Sequence, residues 1–535
     1  MRHTTQSGAA KRHARSTQTS DAASHGSDRS SLLGRQQGID RFAIGLATLF
    51  FLLNLQVVLN HAMWRDEWVC WLLGRFAPTL GVLLDQTLHS GRPMGWYVIS
   101  WCVCKIGFYP VGLKVFHALV STTCVYLFAR YAGFTRLQNT LFAFGYFPFY
   151  EYGTIMRDYA FEFMAVAVVC AVFTSARRRP IAFGMALALL FQTTAQGVVI
   201  GCALGATCAF DLIWKRKTLS AQVPIRPVLI GACVACISLA AAYFAMKPAI
   251  DPAILGIVPR TDAVSVWMRD SVRHIWQALC PLQSYGAWNS NLLNPWPHLQ
   301  VSLSIILFTA IVLALSRRAT ALFFFVVATT AMIGFLSCLP MLDSVRYAGH
   351  FFIITVVAFW IWNHDQDSLT HRFLADVPLT QWQGLAGGFL TALLCAQFVA
   401  GAMASADEQA TPFSGSREAA DLIRRQAPPN VPVIGDRDWA VAAVAGYLDR
   451  PIFMASRGEF GTYSKIAAKL HFDPLPRKEL MAAVERFRTE QKSDVVLLVN
   501  YPLELAQDSR TELLGAITDS ENSDEKFMIY LIHHQ

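Results

Sequence analysis

The segment HAMWRDEWVCW, residues 61–71, ends a long apolar run with two adjacent carboxylates, Asp66 and Glu67, set among Trp64, Trp68 and Trp71. A carboxylate in such a place can take the proton of an acceptor hydroxyl. A second polar cluster, FYEYGTIMRDYAFEF (149–163), carries Glu151, Arg157, Asp158 and Glu162 beside Tyr150, Tyr152 and Tyr159. A third, MLDSVRYAGHFF (341–352), holds Asp343, Arg346, Tyr347 and His350. A guanidinium such as that of Arg346 suits a phosphate oxygen. Lys247, closing AAYFAMKP, and Arg92 with His89 in HSGRPMGWY add further cations and a base. Cations that hold a phosphate leaving group, with a carboxylate that deprotonates the acceptor, suit transfer of a group from a lipid-linked phosphate donor.

Each cluster also has a plainer reading. Asp66 and Glu67 could cap a span in water, with the tryptophans as interfacial anchors. Arg157 could pair with Glu151 or Asp158 and only stabilise a hairpin. Arg346 and Lys247 could snorkel from span ends. Against these stands the cost of ionisable groups at membrane depth, which makes function the default hypothesis.

The composition sets the surroundings of these residues. Of 535 residues, 54% are hydrophobic and 15% charged, which is too apolar for ordinary soluble domains and describes a polytopic membrane protein. The net charge of +8 resides in short loops between spans, a topological signature rather than a nucleic-acid-binding one. The twelve cysteines form no metal-like spacing in a polar loop and read as small core residues. Residues 1–41 read as a disordered, basic, cytoplasmic tail with no apolar signal-peptide region.

About eleven transmembrane helices are expected, near 42–62, 112–130, 137–150, 159–176, 180–195, 197–214, 225–246, 299–316, 319–339, 350–363 and 382–403. If the apolar segment 94–108 does not cross, the basic loops ARYAGFTR, RRRP, WKRK, SRR and HDQDSLTHR all fall on the cytoplasmic side. It should therefore lie along the outer face, next to an amphipathic helix presenting Leu80, Leu83, Leu84 and Leu88. Loops 64–111 and 247–298 and everything after about residue 404 then share the outer side with Asp66. The expected organisation is a transmembrane module over 42–403 and an extracytoplasmic α/β domain over 404–535. That domain, with a largely parallel sheet from 431–436, 451–456, 494–500 and 527–534, is assigned to packing, acceptor contact or partner binding.

The acidic pair after the first span, the surface helices of the first outer loop, GRPMGWY and EYGTIMRDYA resemble the GT-C superfamily of polyprenyl-phosphate-dependent glycosyltransferases. The similarity is closest to bacterial protein mannosyltransferases and aminoarabinose transferases, and spans about residues 42–403. It implies a multi-pass inner-membrane enzyme with a cytoplasmic N-terminus, transferring a hexosyl or pentosyl unit from a polyprenyl-phosphate sugar, with inversion, to a glycan, lipid or protein acceptor. On the matching positions it implies Asp66 as general base with Glu67 beside it in the catalytic set. Arg346, Arg157 and Lys247 are expected at the donor phosphate, and Arg92, Tyr152, Asp158, Tyr347 and His350 at substrate. Relatives carry two histidines where this chain has RYAGH, so only His350 is comparable. Metal dependence varies in the family; no metal ligand is assigned here, and a divalent cation is compatible with the site. Loop 247–298 is expected to carry a further surface helix. Two other classes fit the membrane pattern: a transporter or flippase of a lipid-linked substrate, and a non-catalytic envelope-assembly scaffold. The first would place its ionisable groups near mid-membrane, often with internal repeats; the second would tolerate loss of Asp66, Arg157 and Arg346 together.

Overall fold

The computed structural model describes residues 38–534 apart from 89, 108–109, 177–178, 215–224, 248–263, 285–286, 339–343, 366–377, 463–473 and 506–509. The expected basic tail up to residue 37, His89 and Asp343 thus lie outside the described residues.

Among the described residues, eight helices are long and apolar enough to cross a membrane: α1 (Gly38–Asn60), α5 (Val111–Tyr131), α9 (Ala195–Trp214), α10 (Ile225–Met246), α12 (Pro297–Leu315), α13 (Ala319–Cys338), α14 (Val345–His364) and α15 (Leu379–Ala410). The other three expected spans are helical but short. The 137–150 span is broken into α6 (Arg136–Ala143) and a π-helical turn, Tyr146–Glu151, separated at Gly145; α7 is Asp158–Phe173 and α8 is Pro180–Phe191. At 1.5 Å per residue none of these reaches the thickness of about 30 Å that a hydrocarbon core presents. They survive as helices because neighbours cover them: α7 packs on α5 and α8, and α8 on α10. α14 is the axis of the bundle, with an almost continuous run of buried residues from Ala348 to Trp362.

Helices α2 (Arg65–Phe76), α3 (Leu80–Thr87) and α4 (Gly95–Ile106) follow the first span. α4 has twelve residues, shorter than the roughly 20 that an upright transmembrane helix needs. α4 lies against α2, where a Cβ on Gly74 would stand 3.0 Å from the backbone nitrogen of Trp101. In α3, Leu83 is buried while Leu80 and Leu88 stay exposed. Loop 247–298 carries helix α11 (Val264–Leu279), where a further helix was expected. The helix packs on α12, α13 and α14 and sends Ile275, Ala278 and Leu279 into the bundle core.

Beyond α15 the chain forms α16 (Ser416–Gln426), β1 (Val433–Gly435), α17 (Asp438–Leu448), β2 (Ile452–Met454), β3 (Glu459–Gly461), α18 (Arg477–Gln491), β4 (Val495–Val499), β5 (Thr511–Ile517) and β6 (Phe527–Ile532). The sheet order is β3-β2-β1-β4-β6-β5. Only β2, β1 and β4 run parallel; β3, β6 and β5 each pair antiparallel, so the sheet is mixed rather than largely parallel. The continuous apolar run of β4 reflects helices on both faces: α16 and α17 cover one, and Leu480, Val484 and Phe487 of α18 the other.

This domain sits on the end of the bundle. Arg417 of α16 donates to the carbonyls of Asn60 (3.0 Å) and His61 (2.5 Å), and Lys114 of α5 donates to those of Leu59 (3.2 Å) and His61 (3.0 Å). Two cations thereby satisfy the orphan carbonyls at the C-terminus of α1, where the helix dipole favours them. α17 lies on α2 through Gly446, whose absent side chain admits the Trp68 ring: a Cβ there would stand 2.4 Å from the indole. Gly446→Val should cost about 1–3 kcal/mol by overpacking and speed amide hydrogen exchange across Arg65–Phe76, measured by mass spectrometry. Unchanged exchange would place the docking contact elsewhere.

Candidate active site

Three helix N-termini carry the charged residues that meet at this end of the bundle. Asp66 is the second residue of α2, Arg157 the N-cap of α7 with Asp158 following, and Arg346 the second residue of α14. Helix starts present free N–H groups and positive dipole ends, which favour anions. One Asp66 oxygen, Oδ2, pairs with Nη1 of Arg157 and lies 3.4 Å from Nη1 of Arg346. Arg92, from the turn between α3 and α4, pairs with Asp158 at 3.7 Å. With Arg65, whose Nε stands 4.0 Å from the other Asp66 oxygen, four guanidiniums thus face the two carboxylates. Asp66, Arg346 and Arg92 are partly exposed, whereas Arg157 and Asp158 are buried.

Burial alone would raise the pKa of Asp66, but Arg157, Arg346, Arg65 and Arg92 outweigh it and hold the carboxyl well below the usual range. The group is therefore ionised at neutral pH. Trp64 is buried rather than interfacial, and its ring lies 5.2 Å from the guanidinium carbon of Arg346 and 6.0 Å from that of Arg157. The Trp288 ring lies 5.7 Å from Arg346, and the Tyr347 ring 5.1 Å. Nε of Arg346 is buried and meets no hydrogen-bond acceptor among the described residues.

Glu67 occupies a different environment from its neighbour. It is fully buried, and Oε2 accepts from the Trp64 N–H (3.0 Å) and from His61 Nε2 (2.9 Å), while Oε1 accepts from the Met156 N–H (2.6 Å). Burial opposes ionisation, but the charge and hydrogen bond of His61 and the two backbone donors prevail and lower its pKa. Glu67 thus ties the chain just before Asp66 to the chain just before Arg157. His61 extends the tie, its Nδ1 lying 2.8 Å from Glu408 near the end of α15. Both Glu67 oxygens are thus engaged by His61 and two backbone N–H groups, in contrast to the Asp66 carboxylate held by Arg157 and Arg346.

Two expected substrate contacts are likewise inside the protein. Tyr152 is buried and donates from its hydroxyl to the Arg346 carbonyl at 2.7 Å. That approach requires Gly349, where a Cβ would stand 2.3 Å from the same hydroxyl. His350 is also buried: Nδ1 donates to the Tyr347 carbonyl at 2.7 Å and Nε2 meets Glu162 at 2.9 Å. Glu162 and His350 lie one turn beyond Asp158 and Arg346 on α7 and α14, so they form a second, inner rung between the same two helices. Tyr347 is half-buried and stays with the cluster. Lys247 is not brought to it; that residue is exposed at the end of α10, a helix packed on α8.

Several contributors had not been singled out from the sequence. Asn289 accepts from the Val345 N–H and the Ser344 hydroxyl, both at 2.7 Å, and so caps α14. Trp288 donates to Glu151 at 3.1 Å. Both belong to the stretch GAWNSN, whose aromatic and amide residues in a polar loop were the available signal. Among the described residues no group of three or more His, Cys, Asp or Glu side chains is placed to hold a metal ion.

No protein-family model matches the chain, and no curated protein does. Solved structures similar to it include the crystal structure of ArnT from Cupriavidus metallidurans bound to undecaprenyl phosphate, at 13% identity and a TM-score of 0.49, covering 91% of this chain and 97% of that one.

Removing the Glu67 carboxylate strands His61 and two backbone N–H groups in the interior. Glu67→Ala should therefore lose about 3–5 kcal/mol of stability, the usual cost of breaking a buried pair, whereas Asp66→Asn, on the partly exposed side, should leave the fold intact. Thermal unfolding of the two variants in detergent makes the comparison, and equal losses would contradict it.

Proposed function

We propose that the chain is a GT-C-type membrane glycosyltransferase that moves a sugar from a polyprenyl-phosphate donor to an acceptor hydroxyl, with inversion. The observation that carries this reading is the ionised Asp66 carboxylate shared by Arg157 and Arg346 at the starts of α2, α7 and α14, at the end of a membrane bundle. A polyprenyl tail would lie along the apolar bundle, and its phosphate would reach guanidiniums at the helix ends.

The paired arginines make Asp66 a poor base as it stands, because they stabilise its ionised form. A donor phosphate competes for the same guanidiniums. As Arg346 and Arg157 turn to the phosphate, the Asp66 pKa rises toward that of an ordinary carboxylate, and its basicity increases when the donor is in place. The acceptor oxygen then attacks the anomeric carbon while its proton passes to Asp66. The bond from that carbon to the phosphate oxygen breaks, with the electron pair leaving on polyprenyl phosphate. Arg346, Arg157 and Arg92 stabilise the growing phosphate charge. Glu67, Tyr152, Asp158 and His350 hold these groups in place. The α/β domain and the catalytic end would face the outside, with the N-terminus cytoplasmic.

The test uses labelled polyprenyl-phosphate hexoses and pentoses with purified protein and, as acceptor, membranes from a strain lacking the gene. Asp66→Asn should lower transfer by about 10²–10⁴-fold, the range for loss of a general base, and Arg346→Ala should raise the donor KM as well. Full transfer by a folded Asp66→Asn protein would refute the assignment. Preserved envelope function after loss of Asp66 and Arg346 together would favour a scaffold.

A further inference from the structure

The α2 helix that carries Asp66 has its first N–H group bound by a residue from the far end of the chain. Glu525, between β5 and β6, is fully buried, and its Oε1 accepts from the Arg65 N–H at 2.8 Å. Its other oxygen accepts from the Ser414 hydroxyl and from the Ser416 hydroxyl, the latter at 3.2 Å. The Arg65 guanidinium stands 3.8 Å from Glu525 and 3.2 Å from Asp524. The loop is itself fixed to the sheet domain: Gly415 N–H donates to the Glu525 carbonyl (3.2 Å), Asn500 to the Asp524 carbonyl (2.8 Å), and β6 begins two residues later.

Arg65 is the first residue of α2 and Asp66 the second. The Trp64 N–H is bound by Glu67, which also ties this turn to His61 and Met156, and Glu525 is the carboxylate by which the α/β domain holds the first backbone N–H of α2. We propose that Glu525 is a positioning residue for the transfer reaction: the α/β domain caps α2 in trans and sets where the Asp66 carboxylate stands relative to Arg157 and Arg346. This makes the domain part of the catalytic unit, and it rests on the transferase reading above. A displacement of Asp66 by one ångström acts on the chemical step and much less on donor binding, which depends on the arginines. A carboxamide keeps an oxygen acceptor for the Arg65 N–H; a shorter carboxylate does not reach it.

The experiment compares wild type, Glu525→Ala, Glu525→Asp and Glu525→Gln in the full-length protein, by hydrogen exchange over residues 62–70 and by transfer kinetics with the labelled donors. Glu525→Ala and Glu525→Asp should speed exchange there and lower kcat by up to about 100-fold, with little change in donor KM; Glu525→Gln should restore both. Should the alanine variant fail to fold, the Asp and Gln variants carry the same contrast. Wild-type kcat in Glu525→Ala or Glu525→Asp, or exchange over 62–70 unchanged in both, overturns the proposal. So does a fall in kcat that merely tracks the folded fraction or is not rescued by Gln. Absence of transfer by the wild type would count against the transferase reading instead, and the exchange data would still decide whether Glu525 clamps the Asp66 turn.

Discussion

Cations gathered at helix N-termini repel one another and the dipoles behind them, and Asp66 is the anion that lets Arg157 and Arg346 share one place. Two like charges 4 Å apart repel by about 4 kcal/mol at an effective dielectric of 20; solvent on the exposed side screens part of this, and a negative group offsets the rest and draws the guanidiniums together. In the resting protein that group is a side chain. In the proposed reaction it is the donor phosphate, and the exchange of one for the other prepares the base and binds the leaving group in a single event.

The surrounding structure fixes the backbone while leaving the guanidiniums a partly exposed face. Each of the three helix starts is held from elsewhere in the chain: α2 by Glu525, the entry to α7 by Glu67, and α14 by Asn289. The inner rung of Glu162 and His350 keeps α7 and α14 in register one turn below. The short helices α7 and α8 and the π-helical turn belong to this arrangement. They are shorter than the other spans, and the polar chain between the π-helical turn and α7, with Arg157 at its end, reaches the cluster under cover of their neighbours.

The membrane class and the positions of the apolar segments were legible in the sequence, because hydropathy over long windows is a one-dimensional signal. Asp66, Arg157 and Arg346 each stood out there as charges at the ends of apolar segments. The roles of neighbours were not legible. Asp66 and Glu67 are adjacent and chemically alike, yet helical rotation turns one toward the arginines and buries the other against His61 and Met156. His350 and Tyr152 looked like exposed site residues because depth within a turn is invisible without the packing partners. The capping contacts of Asn289 and Glu525 join residues distant in sequence, and the antiparallel β5 and β6 depend on pairing that strand composition does not specify.

The central claim is most directly tested by an experimental structure of the protein with a polyprenyl-phosphate analogue. The account predicts phosphate oxygens about 2.7–2.9 Å from guanidinium nitrogens of Arg346 and Arg157, the distance of charge-assisted hydrogen bonds, with the Asp66 carboxylate released from at least one of them and open to an acceptor. A phosphate bound away from these arginines, with the Asp66 pairs unchanged, would contradict it.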